Sequence, residues 1–234
     1  MLTVTELQQD IQQLANLEQK KVQQRFFKTG QGEYGEGDIF LGIKVPLQRK
    51  VAKKYSALSL TDIQILLQSQ IHEYRFTALI VLINQYTKAN QTKKQEIFNF
   101  YIHNTERINN WDLVDISAPK IVGDYLLEQP RDILYQLARS SNLWERRIAI
   151  VATQIFIKNH DFEETLKLAE ILLRDEHDLI HKAVGWMLRE VGKREQRVEE
   201  TFLDKYHKNM PRTMLRYAIE KFDETKRQYY LKNF

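Results

Sequence analysis

The sequence predicts an all-α fold, and three observations support this prediction. Leu, Ile, Gln, Lys, Glu and Ala recur at helical spacing along most of the 234 residues, without a sustained alternation of period two. Helix-breaking residues are scarce, since there are only eight glycines and four prolines, and five of the glycines fall between residues 30 and 42. The composition, with 43% hydrophobic and 28% charged residues, is typical of a globular protein and excludes a wholly disordered or fibrous chain.

The apolar spacing predicts the helices in order along the chain. They are expected at about 3–27, 46–55, 60–69, 72–88, 91–104, 111–127, 130–140, 143–159, 162–173, 177–193, 195–207, 211–221 and 223–232. Start signals mark several of them: Thr3 with Glu6, Ser59 before Leu60, and Pro130 and Pro211 near first turns. Pro119 falls inside the helix expected at 111–127, and we expect it to kink that helix. No break in composition follows residue 45, so we predict a single domain over residues 1–234.

A short pattern recurs in five of the predicted helices. A polar or long residue is followed by two spacers, a small residue and then apolar residues, and successive occurrences begin 31 to 40 residues apart. The five are Arg75-x-x-Ala78, Asp115-x-x-Ala118, Arg146-x-x-Ala149, Lys182-x-x-Gly185 and Leu215-x-x-Ala218. A period of about 35 residues with two helices per unit is typical of an α-solenoid of HEAT-like helical repeats, whose second helices line a concave face. The unequal steps leave an irregular helical bundle open as the alternative.

Composition also restricts the compartment and the chemistry. The absence of cysteine excludes disulfides, thiol nucleophiles and Cys-ligated zinc, and it fits a reducing compartment. No secretory signal is visible at the start of the sequence, and no segment approaches the ~20 uninterrupted apolar residues of a membrane span. We therefore expect a soluble, cytoplasmic protein, and separately we expect a monomer. The net charge of +4 is small, so the positions of the charges matter more than their sum.

The predicted second helices carry cations interleaved with tryptophans. Trp111 and Asp115 are one helical turn apart and therefore share a face. Further basic and aromatic residues follow in later helices and around Pro46: Arg146, Arg147, Lys182, Trp186, Arg189, Lys193, Arg212, Arg216, Lys44, Arg49, Lys50, Lys53 and Lys54. A nucleic-acid surface needs cations to neutralise phosphates and flat rings to meet sugars or bases. The ordinary alternatives are a solvated face for the charges and a core position for a tryptophan, which is where we place Trp144.

The remaining motifs predict neither a metal nor a cofactor. The segment TGQGEYGEG lacks the strand and the Lys-Ser/Thr pair of a phosphate loop, and it is either a mobile loop that approaches a ligand or a plain connector. His72-Glu73 has no second histidine at metal-binding spacing. His177 and His181 share a helical face, but no third ligand is apparent, so we interpret them as solvated or capping residues.

Four separated segments resemble one known family. They are RFFKTGQGEYGEGDIFLGIKVPLQRKVAKKY, NNWDLVD, NLWERRIAIV and IHKAVGWMLREVGK, in the order and spacing of the AlkD-type DNA alkylation repair proteins. The resemblance covers nearly the whole chain, to about Ile219. Members of this family are HEAT-like-repeat DNA glycosylases that excise alkylated purines, notably those with a positive charge at N3 or N7. The resemblance therefore implies that the partner is double-stranded DNA with alkylated purines and that no cofactor is used.

The resemblance also implies roles for individual residues at the damaged nucleotide. In the family, the tryptophan and the second aspartate of a W-D-x-x-D segment face that nucleotide, and these are Trp111 and Asp115 here. A second tryptophan that flanks the same sugar is Trp186. An ionised Asp115 can stabilise the positive charge that develops on the deoxyribose and can orient water, because a cationic purine leaves as a neutral group without a strong acid.

Other positions are implied to contact the DNA backbone. An arginine that begins a helix after an N-x-W segment corresponds to Arg147, with Arg146 immediately before it, and Arg189 matches a second such arginine. The segment from Phe40 to Pro46 is similar to a loop and helix start that grips DNA, although Lys44 replaces a residue that is often uncharged and polar in the family. Lys182, Arg49 and Arg216 extend this predicted DNA-binding set.

Two alternatives to a glycosylase stay open. Some branches of the superfamily keep the fold, lack the catalytic residues and bind DNA without excising bases. This sequence departs from the family pattern at Asn110 and Lys44. The four key residues are still in place, so we favour the enzyme; they are Trp111, Asp115, Trp186 and Arg147. The first alternative is a non-catalytic binder of damaged or branched DNA, and the second is a protein–protein scaffold that lacks a steep salt dependence of DNA binding.

Overall fold

The computed structural model describes residues 2–232, and every regular element in that range is helical. The α-helices are α1 Val4–Gln12, α2 Leu17–Phe26, α3 Val45–Lys54, α4 Leu60–Leu67, α5 His72–Lys88, α6 Gln91–His103, α7 Trp111–Ala118, α8 Asp132–Ala138, α9 Leu143–Ala152, α10 Gln154–Lys158, α11 Glu163–Ile171, α12 Asp178–Gly192, α13 Gln196–Tyr206, α14 Arg212–Ala218 and α15 Glu224–Lys232. Short 3₁₀ turns follow α6, α11, α13 and α14. The predicted all-α class is confirmed.

The chain divides into two compact units, residues 1–117 and 118–234, each built around one long helix. In the first unit, α5 is buried from His72 to Ile83 and packs against α3 and α4. In the second unit, α12 packs against α9, α13 and α14. No helix in the described range is both long and apolar enough to cross a membrane. The single-domain interpretation stays a prediction.

The start signals found in the sequence form the expected caps. Thr3 and Glu6 make a reciprocal capping box at the start of α1, and Ser59 with Asp62 makes another at the start of α4. These caps satisfy backbone N–H groups that the first helical turn leaves without partners. Local sequence therefore determines where these two helices begin.

The recurring small residues lie at buried positions. All five are inside the protein, the four alanines fully so: Ala78, Ala118, Ala149, Gly185 and Ala218. At Gly185 of α12, an added Cβ would lie 2.4 Å from the carbonyl oxygen of Met214 and 2.6 Å from the Cβ of Tyr217. A side chain at that position would therefore force α12 and α14 apart, which explains the small residue physically.

Two predicted helices are wrong in their continuity. The helix expected over 3–27 ends at Gln12 and restarts at Leu17, because the Asn16 side chain accepts the N–H of Gln19 (2.9 Å) and caps α2. The backbone N–H of Asn16 also donates to the carbonyl of Leu41 at 2.9 Å. The helix expected over 143–159 divides at residue 153 into α9 and α10.

The proline inside the predicted helix 111–127 changes the helix type. α7 ends at Ala118, and residues Pro119–Gly123 form a π-helical turn. Proline has no N–H to donate to the preceding turn, so the widened turn is the local consequence. An added Cβ at Gly123 would lie 2.2 Å from the carbonyl oxygen of Ala152, so this turn packs closely against the end of α9.

Candidate functional site

The first two turns of α7 carry two predicted site residues of the first unit. Trp111 and Asp115 are both half-buried and lie one helical turn apart. Asn110, which is fully buried, precedes the helix, and its side-chain oxygen accepts the backbone N–H of Trp111 at 2.8 Å. The predicted pairing of Trp111 with Asp115 on one helical face is thus present.

A column of aromatic rings ends at Trp111. The Trp111 ring stacks on Phe27, with centroids 5.2 Å apart, and Phe27 stacks on Phe40 at 4.9 Å. Phe40 in turn stacks on the imidazole of His72 at 4.4 Å. Phe26, whose exposed fraction is 63%, meets the edge of Trp111 with centroids 5.9 Å apart. One face of the Trp111 indole is therefore supported by packed rings.

A buried ionic cluster lies at the other end of this column. The two ring nitrogens of His72 contact Asp38 Oδ2 (3.3 Å) and Asp112 Oδ2 (2.9 Å). Arg75 donates to the other oxygen of Asp38 at 2.7 Å, and Asn110 donates to Asp38 Oδ2 at 3.3 Å. The side chains of His72, Asp38 and Arg75 are at most 5% exposed, and that of Asp112 is 15% exposed. We call Asp38, His72 and Asp112 the His72 clamp.

The electrostatics of the His72 clamp favour a charged imidazolium. Burial by itself would lower the pKa of His72, but the charge and hydrogen bond of Asp112 and the bond to Asp38 raise it to about 9. Burial would likewise raise the pKa of Asp38, yet the hydrogen bond from His72 and the charge of Arg75 hold it below its ordinary value. At neutral pH the cluster therefore pairs two carboxylates with two cations.

A second buried carboxylate holds the loop before α3. Glu73 is 1% exposed, and its carboxylate accepts the backbone N–H groups of Leu41, Gly42 and Ile43 at 2.8–3.2 Å. Gly42 has φ of +85°, and a Cβ there would lie 2.1 Å from the carbonyl oxygen of Asn16, so only glycine fits. This loop leads to Lys44, which is exposed and precedes the first turn of α3.

The second unit holds the other predicted site residues. Trp186 on α12 is half-buried. Arg147 on α9 is 5% exposed, and its Nη1 donates to the carbonyl of Leu179 at 2.6 Å. Trp144 is 7% exposed, so the core position predicted for it is confirmed. Whether Arg147 and Trp186 act on the same nucleotide as Trp111 and Asp115 stays a prediction.

Several predicted DNA-binding cations have partners within the chain. Arg146 donates its Nε to Asp175 at 2.6 Å and its Nη1 to the carbonyls of Ser140 and Ser141, each at 3.0 Å. Lys182 pairs with Asp178 at 2.6 Å along α12.

Arg189 pairs with Glu220. Lys44, Arg49 and Arg216 are exposed and make no ion pair within residues 2–232. These three are therefore the cations of the predicted set that are most accessible to phosphates.

Several histidines act as hydrogen-bonding groups in the described part of the chain. His177 accepts the N–H of Leu179 on its Nδ1 at 3.1 Å and caps α12, as predicted. His181 contacts the carbonyl of Asp175 at 2.5 Å. Residues 2–232 contain no group of three or more His, Cys, Asp or Glu side chains that could hold a metal ion. A doubly protonated His72 has no lone pair to offer a metal, although it lies between two carboxylates.

Sequence reasoning missed the residues that support Trp111. The sequence patterns relate His72 only to a metal site, and they indicate no role for Asp38, Asp112, Phe26 and Phe27. The sequence does carry one signal for the two carboxylates: Asp38 lies in the glycine-rich segment, and Asp112 directly follows Trp111. The imidazole of His72 pairs with Asp38 and Asp112, which are 34 and 40 residues away in the sequence, so only the tertiary structure shows this pairing.

Comparisons with known proteins agree with this description. Two solved structures share the fold: a predicted DNA alkylation repair enzyme from Enterococcus faecalis, with a TM-score of 0.72, and AlkD2 from Streptococcus mutans, with a TM-score of 0.58. The first is 18% identical and is matched over 90% of this chain and 97% of its own, and the second is 19% identical over 88% and 99%. The smu.31 protein of Streptococcus mutans UA159 is also similar, with a TM-score of 0.56 and 20% identity over 94% and 98%. No curated protein matches the chain.

The fold is therefore that of the all-helical repeat proteins to which these three structures belong. The model of the family described as DNA alkylation repair enzyme matches residues 7–222. The chain belongs to this family, and its role lies in the repair of alkylated DNA.

Proposed function

We propose that this protein is a DNA glycosylase that releases positively charged N3- and N7-alkylated purines from duplex DNA. The observation that supports the proposal is the arrangement of α7 in a member of this family. Trp111 and Asp115 lie one turn apart, are half-buried, and occupy the tryptophan and second-aspartate positions of the W-D-x-x-D segment. Asp115 is accordingly the carboxylate that we assign to the damaged nucleotide.

The chemistry of a cationic purine suits a carboxylate and an indole. Cleavage breaks the bond between C1′ and the purine nitrogen, and the electron pair stays on the purine, which leaves as a neutral base. Positive charge develops on the deoxyribose, and an ionised Asp115 stabilises it through space. Water then adds to C1′ and releases a proton. The Trp111 ring can add a cation–π attraction to the sugar of about 0.5–2 kcal/mol.

The remaining predicted residues complete the proposal. Trp186 would flank the same sugar, and Arg147 would contact the backbone near the lesion. The exposed cations Lys44, Arg49 and Arg216 would neutralise phosphates, which makes binding depend steeply on salt. The charge of the lesion then decides which bases are released, because an alkylated purine without a positive charge is a poor leaving group and is released slowly.

The test is release of 7-methylguanine from a defined duplex by Asp115→Asn. We expect the first-order rate of release to fall by about 10²- to 10³-fold, as for loss of one preorganised electrostatic group, while duplex binding is retained. Asp132→Asn is the matched control, since it removes the same charge from an exposed aspartate in the first turn of α8. Undiminished release by Asp115→Asn would refute the assignment.

The same assay separates the alternatives. A wild-type protein that binds the duplex with a steep salt dependence and leaves no apurinic sites is a non-catalytic binder. Weak binding that hardly changes with salt indicates a protein–protein scaffold. Both results would overturn the glycosylase proposal.

A further inference from the structure

The contacts of His72 leave it unavailable as an acid or base in the proposed chemistry. Both ring nitrogens of His72 are occupied by Asp38 and Asp112, and its side chain is 3% exposed. Arg75 balances the second negative charge. A closed, neutral and buried cluster of this kind restricts geometry, because breaking any one pair leaves an uncompensated charge inside the protein.

Three consecutive residues connect this cluster to the start of α7. Asp112 binds His72 through Oδ2, and its Oδ1 accepts the N–H of Leu113 at 2.8 Å. Asn110 donates to Asp38 and accepts the N–H of Trp111. Residues 110–112 are thereby tied to groups that come from the glycine-rich segment and from the first residue of α5.

The backbone and the rings reinforce the same attachment. The N–H of His72 donates to the carbonyl of Ile39 at 2.9 Å, and the N–H of Ile39 donates to the carbonyl of Gln70 at 3.0 Å, which places Asp38 beside the imidazole. The imidazole also stacks on Phe40, which is separated from Trp111 by Phe27 in the aromatic column. The same side chain therefore holds the helix start by ionic bonds and the indole by stacking.

We propose that His72 is a positioning residue for the glycosylase reaction: held between Asp38 and Asp112, it sets the orientation of the first turn of α7 and hence of Trp111 and Asp115. This inference rests on the proposed function. His72 does not touch the nucleotide. Its effect is on the rate of the chemical step, because a small displacement of the group that faces the sugar is costly in rate.

The positive charge of His72 is part of the proposed role. An imidazolium donates one N–H to each carboxylate, whereas a neutral imidazole carries one N–H and turns a lone pair toward the other carboxylate. The groups that face the imidazole are Asp38, Asp112 and, through Asp38, Arg75. Loss of the proton therefore loosens one end of the clamp.

The test compares His72→Gln with His103→Gln in release of 7-methylguanine under single-turnover conditions. His103 is an exposed histidine at the end of α6, so its variant controls for loss of an imidazole. We expect His72→Gln to slow release by about 10- to 100-fold with duplex affinity retained, and His103→Gln to behave as wild type. The wild-type rate should also fall as the pH rises above about 9, and His72→Gln should lack this limb.

A second readout needs neither DNA nor activity. The three tryptophans yield three indole N–H signals in a ¹⁵N-labelled sample, and Trp111→Phe identifies the signal of Trp111. We expect that signal to shift or broaden in His72→Gln and to stay in place in His103→Gln. If the wild-type protein releases no base, the proposed function fails, and the indole signal still reports whether His72 orients Trp111.

Asp112→Asn covers the case in which His72→Gln does not fold. The amide oxygen of asparagine can still accept from His72, but the negative charge is lost, so we expect a lower pKa of His72, a displaced Trp111 signal and slower release. The proposal is overturned if folded His72→Gln or Asp112→Asn releases base at the wild-type rate. It is equally overturned if the Trp111 signal does not move.

Discussion

The raised pKa of His72 makes the stability of the protein depend on pH in a defined direction. The pKa is about 9 in the folded protein and 6.5 as the ordinary value. Below pH 6.5 both the folded and the unfolded states are protonated, and the contribution of the His72 clamp is fully present. Between pH 6.5 and about 9 only the folded state keeps the proton, so the free energy of unfolding decreases as the pH rises.

The size of this effect follows from the two pKa values. A difference of one pKa unit corresponds to about 1.4 kcal/mol, so the difference between 6.5 and about 9 means that His72 contributes about 3–4 kcal/mol, which is lost once the pH has passed through 9. This is a large share of the ~5–15 kcal/mol that stabilises a typical domain. Because the side chain is 3% exposed, solvent screening does not reduce this contribution substantially.

Urea unfolding followed by circular dichroism between pH 6 and 10 measures the effect. We expect the wild-type free energy of unfolding to fall by up to about 1.4 kcal/mol per pH unit between pH 6.5 and about 9, beyond the slope shown by His72→Gln. His103→Gln should retain the wild-type slope. Identical slopes for His72→Gln and wild type, or an NMR titration that places the pKa of His72 near 6.5, would refute the reasoning.

Three further outcomes follow from the geometry. Gly185→Ala should destabilise the protein by about 1–3 kcal/mol in urea unfolding, because its Cβ would lie 2.4 Å from the Met214 carbonyl oxygen; an unchanged midpoint would contradict that packing. Glu73→Gln should cost about 1–3 kcal/mol in the same measurement, since a neutral amide replaces the carboxylate that accepts the N–H groups of residues 41–43, and wild-type stability would show that this loop does not depend on it. Arg49→Gln should reduce the salt slope of duplex binding by about 1, whereas an unaltered slope would remove Arg49 from the interface.

The sequence predicted the helical elements well where local interactions decide them. The capping boxes at Thr3 and Ser59 involve side chains three residues apart, and both formed as expected. The break before α2 depends on two hydrogen bonds of Asn16. The cap to Gln19 is local and lies within reach of sequence patterns, whereas the bond from the Asn16 N–H to the carbonyl of Leu41 joins distant segments that no local pattern connects.

The candidate site divides in the same way. Helical spacing was enough to place Trp111 and Asp115 on one face, since four residues span about one turn. The accessibility of the cations was not predictable, because Arg146 and Lys44 look alike in sequence. Only the structure shows Arg146 bound to Asp175 and Lys44 exposed without an ion pair in the described range.

The sequence by itself determined the fold class, the recurring small residues that are buried, and the position of Trp111 and Asp115 on one face of α7. These properties depend on the spacing of residues along one helix or a few neighbouring turns. The tertiary structure decided that His72 is charged and that its partners are Asp38 and Asp112, which lie 34 and 40 residues away. Electrostatic interaction depends on distance through space and on exclusion of water, and neither quantity can be obtained from the order of residues.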